Sequence, residues 1–442
     1  MKNKSLYLAV AAVILAIVAN IQLQKSSVEQ SEQPWAVSHI AEQYVKLTLA
    51  LGEHEAGYID AYYGPEQWVT ESKSNELALS EIIKQAKQLN HHLGFHQSDA
   101  SKLEEIEQLR LSYLNAQLNA LIARAKMNNG EVQYSFDEES QQLFNTQAPK
   151  NDWSVFDSAL NDLDVLLPGE GSLIERVELF RSQFVIPEDK LKLVFDVAIK
   201  ECRDRTKKYI SLLDNENFTL EFVKDKPWSG YNWYKGNAFS LIQVNTELPI
   251  SISRAIDLGC HEGYPGHHTY NGLLEDKLFQ QRGWVEYSVY PLFSPQSLIA
   301  EGSANYGIKM AFPDEQKLEF ERDVLFPLAG LDQSKAADFA KVSKLTSQLS
   351  YAGNEVARLY LNNKIDKDKA AQLLQQYALM SPGKSKQRVR FMDTYGSYVI
   401  NYNWGKDLVK NWVEAGEDKT EKGRWMRFYK LLSTPRLPST LN

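Results

Sequence analysis

His261-Glu262-Gly263-Tyr264-Pro265-Gly266-His267-His268 is the stretch from which the rest of the chain is best read. The chain has eight histidines. Five are scattered before residue 97 (His39, His54, His91, His92, His96), and the other three fall inside this octapeptide, with an acid directly after the first. A lone histidine on an apolar helix is usually packed or solvated, whereas three so close together beside a glutamate suggest a metal site. The nearest chemical template is HExxH on a helix. There, two histidines one turn apart bind zinc and the glutamate serves as general base for the attacking water. Here Pro265 stands where the second histidine belongs. Proline lacks an N–H and clashes with the carbonyl four residues back, so the helix must kink or bulge between Gly263 and Gly266. On an undisturbed helix His268 would share the face of His261 to within about 20°, but about 10 Å further along the axis, too far for simple chelation. His267 would point away. A two-residue bulge instead returns His267 to the place of the second histidine. His267 is therefore the expected ligand, and His268 the alternative, or a neighbouring group that supports the site or meets substrate.

Upstream, Pro227–Asn237 (PWSGYNWYKGN) is rich in aromatics and glycine and reads as a loop. Ala238–Leu248 suits a strand through Phe239, Leu241, Val244 and Thr246, and Pro249 closes it. A helix begins near Ser251, with Ile252, Ala255, Ile256, Gly259 and Cys260 as its apolar face, and delivers His261. Downstream there are no further histidines, so a third ligand has to be a carboxylate. Pro295–Met310 reads as a helix capped by Ser294, with Pro295 at its first position. Glu301 lies on its inner face beside Gly302, Ser303 and Ala304, small residues that let another helix approach closely. An acid in such a place must be paired or bind a metal.

HEGYPGHH followed by Glu301-Gly302-Ser303-Ala304-Asn305-Tyr306 resembles a bacterial family known as domain of unknown function 885, whose pattern is HExxPGHH and then EGWAxY. The likeness spans most of the chain, from Ile59–Pro65 to the C-terminal tyrosines. It departs at Ser303, where tryptophan is usual, which leaves the carboxylate intact and bears on local packing. That family resembles gluzincin metallopeptidases. The resemblance implies a mostly helical fold with a small β-sheet and a deep cleft, in which zinc is held by two histidines and a glutamate (His261, His267, Glu301). In such a fold the strand Ser240–Leu248 would lie beside the site, an edge strand could pair with an extended peptide, and Asn245 would be a side-chain contact. Near the C-terminus Phe391, Tyr395, Tyr398 and Tyr402 recur at helical spacing. Such stripes are usually core, but a tyrosine hydroxyl that donates to an oxyanion is a common need of zinc sites, and Tyr402 is the candidate.

Hydrophobic content of 43%, charged content of 24% and a net charge of −8 describe an ordinary acidic globular protein. No basic stripe points to nucleic acid. Lys2 and Lys4 precede the uncharged apolar run Ser5–Leu23, so residues 1–24 read as a signal peptide or a single membrane anchor. Residues 25–34 form a linker, and residues 35–442 form a single large helical domain outside the cytoplasm, periplasmic or held at the inner membrane. Cys202 falls on the helical stripe Leu191, Val194, Phe195, Ala198, Ile199, which favours a buried free thiol over a bridge to Cys260. The expected activity is a zinc-dependent peptidase acting on peptide or protein substrates, with Glu262 as general base. Its rivals are a zinc amidohydrolase acting on a non-peptide amide and a non-catalytic metal- or peptide-binding protein. An intact Glu262 argues against the last, because a structural site needs no base.

Overall fold

The computed structural model describes residues 34–226 and 228–441; the apolar run Ser5–Leu23 lies outside them. Among the described residues no helix is long and apolar enough to cross a membrane.

Helices dominate. α1 (Val37–His54) buries Ile40, Ala41, Tyr44, Val45, Leu47, Thr48 and Leu51, the stripe of a helix with one face in a core. β1 (Ile59–Tyr62) follows. α2 (Leu79–Ser98) and α3 (Glu105–Asn128) pack against each other. α4 (Leu191–Lys207) buries Leu191, Val194, Phe195, Ala198, Ile199 and Cys202 along one face.

Three strands form the larger sheet: β2 (Asn217–Val223), β3 (Gly230–Tyr234) and β4 (Phe239–Asn245), in the order β2-β4-β3. β4 is parallel to β2 and antiparallel to β3. Two expectations are corrected here. The aromatic stretch is no simple loop, because Tyr231, Trp233 and Tyr234 are strand formers, and alternation buries Asn232 and Tyr234. The strand expected at the edge is central, and β3 occupies the edge instead.

α5 (Ser253–Leu258) leads into the histidine segment, and α6 (His267–Leu274) leaves it. β5 (Val289–Pro291) pairs antiparallel with β1. α7 (Pro295–Ala311) starts with its proline as expected, but the Ser294 hydroxyl donates back to the Pro291 carbonyl at 2.8 Å rather than capping the helix. α8 (Pro382–Tyr395), α9 (Ile400–Glu414) and α10 (Glu421–Leu432) close the chain. α7 crosses α9 at a pair of glycines. A Cβ on Gly302 would lie 2.4 Å from the Gly405 carbonyl oxygen, so the small residues around Glu301 do permit close approach. Ser303 is fully buried and turns its hydroxyl to the Ala300 carbonyl.

Two apolar cores meet at the histidine segment. Tyr264 and Cys260 belong to a core built with α4, β4 and α5, while Tyr270 and Leu273 belong to one built with α1, α2, α3, α7 and α9. The site therefore lies on the seam between them.

Candidate metal centre

The helix that begins as α5 does not continue regularly. It widens into a π turn over Gly259–Gly263 and breaks at Tyr264-Pro265, and α6 begins at His267. The Gly266 amide donates to the Cys260 carbonyl at 3.0 Å. Only glycine can make this return, because a Cβ at residue 266 would sit 1.8 Å from the His261 carbonyl oxygen. The inserted residues swing His267 back beside His261. Their rings are nearly perpendicular, with centroids 4.7 Å apart, and their Nε2 atoms are 3.2 Å apart.

Glu301 on α7 completes the group. Its Oε2 lies 3.2 Å from His261 Nε2 and 3.8 Å from His267 Nε2. This trio is the group found among the described residues whose potential ligand atoms all lie within 4.8 Å of one another. Three tests favour a metal. Four-coordinate zinc with bonds of about 2.0–2.1 Å holds its ligands about 3.3 Å apart, close to these separations. Glu301 Oε2 is buried with no hydrogen-bond partner, an arrangement that is costly unless something else meets it. Finally, the donor set of two imidazoles and a carboxylate leaves a fourth position open.

Charge gathers here. Burial alone would raise the Glu301 carboxyl, but His261 and His267 hold it well below the usual carboxylate range. Burial disfavours the His267 imidazolium, yet Glu301, Glu262 and Asp60 push it up to about 9. Glu262 is buried beside the trio, and that burial raises its carboxyl despite the two histidines. Its side chain accepts no hydrogen bond from the described residues, and it lines the cleft. Its backbone carbonyl accepts a 2.6 Å bond from Asn232 of β3, and Gly230 faces its carboxylate, where a Cβ would lie 2.8 Å from Oε1.

The cleft encloses about 420 Å³. Its lining has two parts: His261, Glu262, His267 and Glu301, flanked by Ser229–Asn232 at the β3 edge, and the group Arg388, Phe391, Tyr395, Tyr398 and Tyr402. Burial holds the Tyr402 hydroxyl far above its ordinary pKa, so it stays a proton donor. The Tyr398 hydroxyl donates to Glu301 Oε1 at 2.9 Å and fixes which carboxylate oxygen faces the histidines. Asp60 of β1 also lines the cleft; burial pushes its carboxyl up to about 6, against the Tyr231 hydroxyl that donates to it. Asp60 escaped the sequence reading because an isolated acid between Ile59 and Ala61 carries no spacing signal. Arg388 escaped it for the same reason.

Two of the proposed substrate contacts lie elsewhere. His268 is buried away from the cleft, with Nδ1 2.7 Å from the Ser240 hydroxyl and Nε2 3.2 Å from Glu216. Glu216 also pairs with Arg203 and accepts from the Tyr264 hydroxyl. Asn245 does not line the cleft. Its amide donates to the Lys226 and Trp228 carbonyls at 2.9 and 3.0 Å, so it braces the loop before β3.

The free-thiol expectation is overturned: Cys202 and Cys260 form a disulfide, with Cα atoms 5.4 Å apart. The apolar spacing that buries Cys202 also turns it toward the apolar face on which Cys260 sits. The bridge ties α4 to the residue directly before His261.

No family model matches the sequence, and no curated protein matches it. Among solved structures, the chain is similar to that of a presumed lipoprotein from Colwellia psychrerythraea. The TM-score is 0.51 at 14% identity, over 95% of this chain and 77% of that one. A structure called BsuCP gives a TM-score of 0.45 at 10% identity, over 90% and 88% of the two chains. An M32 carboxypeptidase from Deinococcus radiodurans R1 gives 0.39 at 11%, over 89% and 88%. At such identities, the first likeness is one of fold alone.

Proposed function

We propose that this protein is a zinc hydrolase that cleaves peptide bonds. The observation that carries this reading is the convergence of His261, His267 and Glu301 to within bonding range of one ion, with the Glu262 carboxylate in the same cleft and not engaged by any donor among the described residues. Zinc held by this trio would act as a Lewis acid that polarises a carbonyl and makes water more acidic. Glu262 then takes a proton from the attacking water and delivers it to the departing amine, a role that its raised proton affinity suits. Tyr402 presents a protonated hydroxyl to the cleft, suited to charge that develops on the carbonyl oxygen. β3 offers an edge to which an extended peptide can add as a further strand. The resemblance of the motifs to domain of unknown function 885 agrees with this reading.

The same proposal places the protein outside the cytoplasm. The Lys2/Lys4 flank and the apolar run support export, as does the Cys202–Cys260 bridge, since disulfides persist in oxidising compartments.

The test is Glu262→Gln. Gln keeps the size of the side chain but accepts no proton. The variant should retain one equivalent of zinc while hydrolysis of a peptide mixture falls at least about 10²-fold. Full activity in this variant would remove Glu262 from the mechanism. Loss of the metal would make Glu262 a ligand and reopen the role of Glu301.

A further inference from the structure

Most of the well-buried arginines in the described residues have an acid: Arg110 is paired with Glu286, Arg124 with Glu55, and Arg358 with Asp137 and Glu355. Arg436 has no paired acid but donates to the Thr434 hydroxyl, whereas Arg388 has neither. It lies on α8 in the cleft wall, and no carboxylate or hydrogen-bond acceptor among the described residues meets it; its Nε is buried without a partner. What holds it is aromatic, with the guanidinium carbon 4.8 Å from the centre of the Phe391 ring and 5.8 Å from that of Tyr402. Rings on the flanks leave the planar fork of donors free to engage a ligand. Lys384, one helical turn earlier, lines the same cleft and adds a second positive charge. None of the four acids of the cleft pairs with Arg388 among the described residues: Asp60 accepts from Tyr231, Asp257 pairs with Lys317, Glu301 faces the histidines, and Glu262 lies beside His261 with its carboxylate against Gly230.

A half-buried guanidinium whose Nε has no partner is partly desolvated in the free protein, and the loss is recovered when an anion arrives. The fork matches a carboxylate in two parallel hydrogen bonds. Tyr402 packs against Tyr398, with ring centres 5.8 Å apart, and Tyr398 bonds Glu301, so the arginine lies only two rings from the metal trio. We infer that Arg388 is a specificity residue that binds a carboxylate of the substrate. It thereby selects peptides with an acidic group close to the bond that is cut, either the free C-terminus or an Asp or Glu side chain. This rests on the peptidase reading for its substrate class.

The experiment uses the zinc-loaded protein and three versions of a peptide that it cleaves: free C-terminus, amidated C-terminus, and amidated with glutamate beside the scissile bond. Wild type should favour one of the two acidic versions, and which one tells the terminal carboxylate from the side chain. Arg388→Met should reduce that preference about 10- to 100-fold, the worth of a lost charge-assisted pair, and Arg388→Lys should restore part of it. A second readout does not need turnover. Binding of N-acetylphenylalanine and of its amide to zinc-loaded Glu262→Gln is measured by calorimetry, with and without Arg388→Met. The acid should bind more tightly than the amide, and Arg388→Met should remove that advantage. If the acid's advantage survives Arg388→Met, the carboxylate is bound by the metal and the inference fails. The same holds if all three peptides lose rate equally. If the zinc-loaded wild type cleaves no peptide, the peptidase reading fails, and the calorimetry alone decides the role of Arg388.

Discussion

The two walls of the cleft are built on opposite principles. The wall that carries His261, Glu262 and His267 is tied down on all sides. The Cys202–Cys260 bridge holds the residue before His261, and Asn232 holds the carbonyl of Glu262. Gly266 folds back on Cys260, and His268 is clasped between Ser240 and Glu216. The second part of the lining, on α8, α9 and the turn between them, is made largely of rings packed on rings, joined to the first where the Tyr398 hydroxyl reaches Glu301. Phe391, Tyr395, Tyr398 and Tyr402 touch at centroid distances of 4.5 to 6.4 Å, and Arg388 lies over Phe391 and Tyr402 with no acceptor among the described residues. Polar bonds fix position to within a few tenths of an ångström, which chemistry at a metal requires. Aromatic faces give contact area with little directional demand, which suits substrates of varied side chains. In the hydrolase we propose, the difference would divide labour between a rigid wall for chemistry and a more tolerant wall for recognition.

The largest expected effect breaks the rigid wall at neighbouring residues. His267→Ala should lower bound zinc below a tenth of an equivalent by elemental analysis, since one of three protein ligands is gone. His268→Ala should keep most of the zinc and instead lower Tm, because it leaves Glu216 and Ser240 partly unsatisfied inside the protein. Equal zinc loss in the two variants would erase the distinction between ligand and brace.

A smaller effect probes the second part of the lining. Tyr402→Phe removes one hydroxyl from the cleft and keeps the ring. It should lower kcat about 10- to 100-fold and leave both zinc content and Tm near wild type, because that hydroxyl has no hydrogen-bond partner among the described residues. A drop in Tm or metal content without a fall in kcat would make Tyr402 part of the scaffold.

The smallest effect lies behind both walls. Burial pushes the Glu321 carboxyl up to about 7, with Asp257 adding to the rise and Lys317 opposing it. The folded state therefore holds this proton more tightly than the unfolded chain does. Its contribution to stability is fully present below the unfolded value near 4.5 and is lost as pH rises through about 7. Glu321→Gln should flatten the fall in Tm between pH 5 and 8, by roughly 2 °C or more. An unchanged Tm profile would mean that Glu321 titrates normally in the fold.

Much of this could be read from the chain alone. The helical stripes of α1 and α4 were legible because 3.6-residue spacing is a local property. So was the need for a break at Pro265, since proline forbids a regular turn wherever it stands, and so was the small-residue surround of Glu301. What the sequence left open was which element meets which. β4 looked like an edge strand and is the centre of its sheet, because strand order follows from pairing with β2 and β3 and not from β4 itself. Cys202 looked like a buried thiol because the stripe reports burial but not the partner across the core. His267 and His268 were rivals because adjacent residues differ only by the size of the bulge before them, and Gly266 sets that size through a contact with the His261 carbonyl. Asp60 and Arg388 stand 328 positions apart and carry no pattern that joins them. They share a cleft because β1 and α8 pack on one apolar core, which includes Ala61, Val389 and Met392, and that packing is a property of the assembled fold. The sequence by itself pointed to the histidine and glutamate side chains that the structure gathers, and to the helical frame. The tertiary structure alone decided which side chains face the cleft, since that depends on contacts between residues far apart in the chain.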